Sequence, residues 1–202
     1  MSKVKAKPSI AFFDFDGTIT KEDSMWLFLK YLSGNSKFYL NIIPLIPVLV
    51  LFKLNLISSK NGKEAIFKKF FKNCDLILFE EHCKKFTQQI LINQMRPEVL
   101  NKMTWHKEND HQIVVVSASP KNWINYWCED QGIDLIATEL EIQNGKLTGK
   151  IAGENCKGKQ KVIRIKQKYD LGKFDTVYAY GDSTGDKEML SMADRAFYRG
   201  FS

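Results

Sequence analysis

Residues 9–18 read Ser-Ile-Ala-Phe-Phe-Asp-Phe-Asp-Gly-Thr, and this stretch decides the fold. Ser9 to Phe15 is a short apolar run that ends in acidic residues and Gly17. An unbroken apolar run of this length is the pattern of a strand buried on both faces of a parallel sheet. Carboxylates at its C-terminal end sit where open parallel sheets bind their ligands.

Similar runs recur outward from it. Ile113 to Val116 ends in Ser117, Leu135 to Thr138 is a third, and Thr176 to Tyr180 ends in Gly181-Asp182. Ala196 to Tyr198 supplies a fifth, and helical spacing separates the runs at Lys121 to Gln131, Lys159 to Tyr169 and Lys187 to Ala193. The repetition predicts an α/β fold with a doubly wound parallel sheet. Asn144-Gly145 between two alternating segments predicts a β-hairpin. The first two strands are separated by about 90 residues, far more than one crossover helix requires. That stretch has helical periodicity (Trp26, Leu29, Leu32; Ile66, Phe70; Phe86, Ile90) and no strand pattern. It predicts a mainly helical cap over residues 20–110, inserted into a core made of residues 1–19 and 111–202.

The 202 residues suffice for one domain and a modest insertion, and 44% hydrophobic with 26% charged residues is ordinary for a soluble protein. Cys74, Cys83, Cys128 and Cys156 lack paired metal-ligand spacing and read as reduced thiols, which predicts a cytoplasmic location. Met1 to Pro8 reads as a short polar tail rather than a signal peptide. The net charge of +7 is spread over scattered lysines with no arginine-rich run, so no nucleic-acid partner is expected.

Asp14 and Asp16 lie two apart at the strand end, a spacing that in a regular strand points both side chains to one face. Adjacent carboxylates repel unless a cation sits between them. Asp182 and Asp186 add oxygen ligands from another strand end, and oxygen donors without a His or Cys cluster favour Mg²⁺. His82, His106 and His111 are too dispersed to suggest a metal site. The plain alternative for the acidic pair is a surface turn.

Asp14-Phe15-Asp16-Gly17-Thr18, Ser117 after an apolar strand, a lysine at a helix start, and Gly181-Asp182 followed by Asp186 resemble, in that order, the haloacid dehalogenase superfamily. The likeness covers essentially the whole chain. His111 to Pro120 and Asn144 to Val162 are similar to its phosphoserine-phosphatase-like subfamily IB. The apolar segment after Lys37 and the Cys156-Lys-Gly158-Lys-Gln-Lys161-Val162 run are similar to the phosphatidylglycerophosphatase C group.

The resemblance implies a Mg²⁺-dependent phosphatase with a Rossmann-like core. Asp14 would be the nucleophile that forms an aspartyl phosphate, and Asp16 the general acid and base. Ser117 and the Ala118 N–H would hold the phosphoryl oxygens, and a lysine would neutralise them. Asp14, the Asp16 carbonyl and Asp182 would bind the metal, with Asp186 orienting a water or the lysine. Lys157, Lys159 and Lys161 all lie near one helix start. Lys161 is preferred because Ile165 follows it by four residues and it completes the Cys-x-Gly-x-x-Lys-Val run. Carbon–halogen hydrolases lack an acid at the position of Asp16, which favours phosphoryl transfer. A signalling receiver domain would carry its phosphorylated aspartate on the third strand, where none stands.

Asp23 has two readings, a substrate contact or the N-cap of a helix. Arg96-Pro97 reads equally as a helix start or a phosphate contact. Phe38 to Phe52 has no charge and is flanked by Lys37 and Lys53, but Asn41, Pro44 and Pro47 interrupt it. It is either a packed cap helix or a surface that docks on anionic lipid, in which case Leu45 and Leu49 would face the bilayer. The expected substrate is a small phosphorylated metabolite such as phosphoserine. The alternatives are a lipid phosphate with peripheral membrane contact, or a non-catalytic binding protein that keeps the fold.

Overall fold

The computed structural model describes residues 7–54 and 56–200. Strand β1 (Ile10–Phe13) leads into helices α1 (Ser24–Ser33), α2 (Asn35–Ile42), α3 (Ile46–Lys53), α4 (Ser59–Phe71), α5 (Leu76–Gln89) and α6 (Pro97–Glu108). There follow β2 (Gln112–Pro120), α7 (Lys121–Gln131), β3 (Asp134–Gln143), β4 (Lys146–Ala152), α8 (Lys159–Lys168), β5 (Val177–Gly181), α9 (Lys187–Ser191) and β6 (Arg195–Tyr198). The sheet order is β4-β3-β2-β1-β5-β6, parallel throughout except for the antiparallel β3–β4 pair.

That order puts β1 between β2 and β5, with Phe13 level with Val115 and Tyr180. The chain crosses to one side of β1 and then to the other, so a crevice opens at the strand ends. Asp14 and Asp182 follow the ends of β1 and β5, and Ser117 lies within β2 just before its pairing with β3 shifts register. Alternation along β1 divides its side chains between two cores. Ile10 and Phe12 pack on the side of Ile165 and Met189, while Ala11 and Phe13 face the larger core shared with the cap helices.

Leu135 to Thr138 and the first arm of the hairpin are one strand rather than two. β3 runs parallel to β2 over its first half and antiparallel to β4 over its second. An exposed edge on β4 would invite pairing with another chain, and the cap covers it. Asn73 N–H donates to the Leu147 carbonyl and Leu147 N–H to the Cys74 carbonyl, each at 2.9 Å. Glu64 on α4 accepts the Ile151 N–H at 3.1 Å. Gly149 has φ +78°, and a Cβ there would lie 2.5 Å from Lys68 Cα, so only glycine lets α4 come this close.

Aromatic rings join the cap to the core. Phe28 on α1 stacks on Trp123 of α7 at 4.6 Å and meets Phe86 of α5 edge-on at 5.1 Å. Trp123 Nε1–H donates to Ser24 Oγ at 3.0 Å, which satisfies its one polar atom inside the core. Burial of each such side chain stabilises by about 1.5–3 kcal/mol. On the sheet, His106 and His111 are not dispersed as their numbering suggests. They meet across the end of α6 with Nδ1 atoms 2.8 Å apart, and His106 Nε2 lies 2.9 Å from the Tyr180 hydroxyl.

Residues 35–53 form one continuous helical stretch through both prolines. Phe38, Ile42, Leu45 and Leu49 face the core, whereas Leu40 is 68% and Ile43 59% exposed. The expectation of a packed helix holds for one side only. Leu45 and Leu49 lie on that packed side, so they are not the residues a membrane would meet.

Candidate active site

β1 ends at Phe13, so Asp14 and Asp16 do not sit on a regular strand. Past Asp14 the chain makes a wide turn closed by the Thr20 N–H on the Phe15 carbonyl at 3.0 Å. The turn, not strand alternation, brings both carboxylates to one cavity. Gly17 enables it with φ +82°, and a Cβ there would fall 2.6 Å from Asp182 Oδ2. Gly17→Ala is therefore expected to add roughly 1–2 kcal/mol of backbone strain and displace Asp182. Activity should fall about a hundredfold, as a misplacement near 1 Å does. Steady-state kinetics beside an unchanged circular-dichroism spectrum would test this.

Lys161, on the first turn of α8, is 1% exposed. Its ammonium donates to Asp14 Oδ1 at 2.5 Å, Asp186 Oδ1 at 2.6 Å and the Val116 carbonyl at 2.7 Å. All three of its donor directions are thus used. Of the other two candidate lysines, Lys157 reaches the cavity wall from an exposed position and Lys159 points away from it. The α8 start is anchored to the β5 loop by the Gly158 N–H on the Gly185 carbonyl at 2.8 Å. Asp186 also accepts the Ser183 N–H and hydroxyl, at 3.0 and 2.7 Å, so it is held rigidly against the lysine.

Carboxylates outnumber cations here. Burial raises the Asp14 carboxyl to about 7; Lys161 opposes this, and Asp186 and Asp16 add to it. Burial also raises Asp182, partly offset by the hydrogen bond from Thr18. Burial works against the Asp186 charge too, but Lys161 outweighs it and the net shift is downward. One oxygen from each of Asp14, Asp182 and Asp186 can lie within 4.8 Å of the others, and Thr18 Oγ1 sits 3.4 Å from Asp14 Oδ2 and 3.1 Å from Asp182 Oδ1. An all-oxygen set with surplus negative charge fits a hard divalent cation.

Both oxygens of Asp16 are engaged. Oδ1 accepts the Ser24 N–H at the start of α1 at 2.7 Å, and Oδ2 accepts the Ser117 hydroxyl at 3.3 Å. Ser117 is fully buried and itself accepts the Ser119 N–H at 3.0 Å. A cavity of about 280 Å³ lies between the strand ends and the cap, and its walls include Asp14, Asp16, Ala118 and Lys161.

The cap adds a residue that sequence reasoning missed. Lys63 of α4 reaches into the cavity and donates to the Ala118 carbonyl at 2.7 Å. Loss of solvation lowers its pKa, against the pull of Asp16 and Asp23. Ser59, Lys63 and Ile66 share one helix face at i, i+4 and i+7, and all three line the cavity. That spacing was readable, but nothing in the sequence says the face meets the strand ends.

Asp23 is the α1 N-cap, accepting from the Met25 and Trp26 N–H groups at 2.9 and 3.4 Å, and it also lines the cavity. Partial loss of solvation and then Asp16 push its carboxyl up to about 6. Arg96 stands at the α6 start, with Nε on the Thr20 carbonyl at 3.3 Å, away from the cavity wall.

Lys63→Met keeps the stem and removes the one lysine of helices α1–α6 that, among the described residues, lines the cavity. An anionic substrate should then bind about tenfold more weakly, with a smaller change in kcat, as loss of one charge-assisted hydrogen bond predicts. A KM measurement against kcat would test this, and an unchanged KM would exclude substrate contact by Lys63.

Residues 11–191 match the family described as haloacid dehalogenase-like hydrolase. Protein CicA of Caulobacter vibrioides is 32% identical over 197 residues, covering 96% of this chain and 87% of the relative. A crystal structure of a protein of unknown function from Bordetella pertussis superposes with TM-score 0.82 at 19% identity, covering 95% of this chain and 89% of that one. A phosphoserine phosphatase structure described as a phospho-aspartyl intermediate analogue superposes with TM-score 0.64 at 18% identity, covering 94% of this chain and 84% of that one.

Proposed function

Because the chain belongs to the haloacid dehalogenase-like hydrolase family, we propose that it is a Mg²⁺-dependent phosphomonoester hydrolase working through an aspartyl phosphate on Asp14. The carrying observation is the buried Asp14–Lys161–Asp186 arrangement opening onto the cavity. Asp14 attacks phosphorus, the bond from phosphorus to the leaving oxygen breaks, and Asp16 gives that oxygen a proton. Asp16 then takes a proton from the water that attacks the phosphoaspartate, which releases phosphate and restores the Asp14 carboxylate. The Asp14 carboxylate, the Asp16 carbonyl and Asp182 would hold Mg²⁺, whose charge offsets that of the phosphoryl oxygens. Asp186 holds Lys161 in place, and Ala118 lies at the cavity wall where its N–H could meet the phosphoryl group.

The chain's own hydrogen bonds set a condition on this cycle. Asp16 is held by Ser24 and Ser117, one bond to each oxygen, so the lone pair left on one of these oxygens must face the substrate oxygen it serves. The hold on Ser24 ties the orientation of that carboxylate to the position of α1.

The substrate reading is a small phosphorylated metabolite such as phosphoserine, handled in the cytoplasm. It is supported by the cavity's size and by the opposite charges of Lys63 and Asp23 on its cap side. A second reading, a phosphate monoester on a lipid headgroup, is favoured by the apolar helix face beside the cavity. The decisive experiment is hydrolysis of an aryl phosphate with and without Mg²⁺, with acid-quenched phosphoprotein mapped to Asp14. Hydrolysis that survives chelation, or phosphate that maps elsewhere, would overturn the mechanism. A parallel screen of phosphoserine, sugar phosphates and phosphatidylglycerophosphate would rank the substrate classes.

A further inference from the structure

The helix spanning residues 35–53 carries two apolar stripes. Phe38, Ile42, Leu45 and Leu49 face the domain core. Tyr39, Ile43, Ile46, Val50 and Leu54 form a second stripe about 100° round the helix from the first and are each at least 49% exposed. A helix that is apolar all round is ordinarily buried all round, so the outer stripe lacks its cover. A contiguous exposed apolar surface of this kind marks an interaction site.

The surrounding charge indicates what covers it. Between Ser24 and Lys63 the chain has no Asp or Glu; of its lysines, Lys60 pairs with Glu154 and Lys63 turns into the cavity, which leaves Lys30, Lys37 and Lys53. Lys37 and Lys53, at the two ends of the helix, are exposed. An apolar stripe with an exposed lysine at each end of its helix complements an anionic bilayer, where side chains enter the acyl boundary and ammonium groups meet headgroups. The segment is long and apolar enough to cross a membrane, but its inner stripe is packed against the domain. It can therefore lie in the interface without unfolding, and it cannot cross without detaching.

The packed side of the helix reaches the cavity. Phe52, at the end of the same helix, packs against Gly62 of α4 and lines the cavity wall, as does Trp26, which meets Phe38 edge-on at 6.5 Å. We propose that α2–α3 docks the protein in the plane of an anionic bilayer and so sets the cavity mouth at the headgroup layer. A substrate carried on a lipid headgroup rests on the phosphatase reading; the docking does not.

Sedimentation of the full chain with phosphatidylglycerol–phosphatidylcholine vesicles tests this, with pure phosphatidylcholine vesicles and a salt series alongside. Expected are binding to the anionic vesicles at low salt, and at least about tenfold weakening when salt shortens the screening length. Ile43→Ser with Val50→Ser should weaken vesicle binding by a similar factor and leave hydrolysis of a soluble aryl phosphate unchanged, since both side chains are already exposed. Asp14→Asn should bind vesicles like the wild type, so loss of catalysis and loss of docking are read separately. Absence of binding to anionic vesicles at low salt would overturn the proposal. So would equal binding by the double variant, or a free dimer in sedimentation velocity that the double variant dissociates, which would make the cover a second copy.

Discussion

Asp14→Asn should lower turnover of an aryl phosphate by at least about a thousandfold, a large share of a typical enzymatic acceleration. The amide keeps the side chain's shape and can still accept from Lys161, so the effect isolates the attacking charge. The same variant should be more stable than the wild type at pH 8 in the absence of metal. The sign follows from burial: the folded state holds the Asp14 proton up to about 7, against 3.8 for an ordinary Asp. The stability this group contributes is thus fully present at low pH and is lost as pH rises from near 4 to above 7, a loss on the order of a few kcal/mol. Asparagine carries no such loss. Thermal melts of both proteins across that range should diverge upward with pH, and Mg²⁺ should narrow the gap by stabilising the charged wild type. A wild-type protein that turns over within tenfold of the variant would remove Asp14 from the nucleophile's place.

Lys161→Ala is expected to damage both catalysis and folding. If Lys161 neutralises the phosphoryl oxygens as proposed, its loss costs roughly 3–4 kcal/mol of transition-state stabilisation. The structure adds a second effect, because the ammonium bridges two buried carboxylates. Removing one member of such a cluster leaves uncompensated charge and costs about 3–5 kcal/mol of stability. Activity should therefore be measured well below the melting temperature, with the folded fraction known. Lys157→Ala and Lys159→Ala should melt and turn over close to wild type. A damaging Lys159→Ala beside a mild Lys161→Ala would move the phosphoryl contact two residues along α8.

Asp14 and Lys161 also show how far the placement of the site was readable in sequence. Asp14, Ser117 and Asp182 were legible because each follows a short apolar run, and a run buried on both faces has few alternatives to a central parallel strand. The α/β order, the Asn144-Gly145 hairpin and the helical character of the segment between the first two strands follow from local periodicity in the same way. Lys161 was separable from its neighbours through its place relative to Ile165 and in the Cys156–Val162 run. The fold shows why that matters: the face of α8 that buries Ile165 also buries Lys161.

Other features depend on contacts between residues far apart in the chain, and no local pattern encodes those. Lys63 looks like any other surface lysine until α4 packs along β4 and carries it over Ala118. His106 and His111 look dispersed until the end of α6 turns back onto the sheet. The acidic pair shares a cavity because of a turn with Gly17 at positive φ, where strand alternation alone would have predicted a different backbone. Hydropathy identified residues 38–52 as apolar all round but could not say which stripe finds a partner. Which residues a helix buries is set by the surface packed against it, here Phe38, Ile42, Leu45 and Leu49 against the cap. The sequence by itself determined the layers, the strand ends and the acidic chemistry. Only the tertiary structure decided which cations face that chemistry and which apolar face remains exposed.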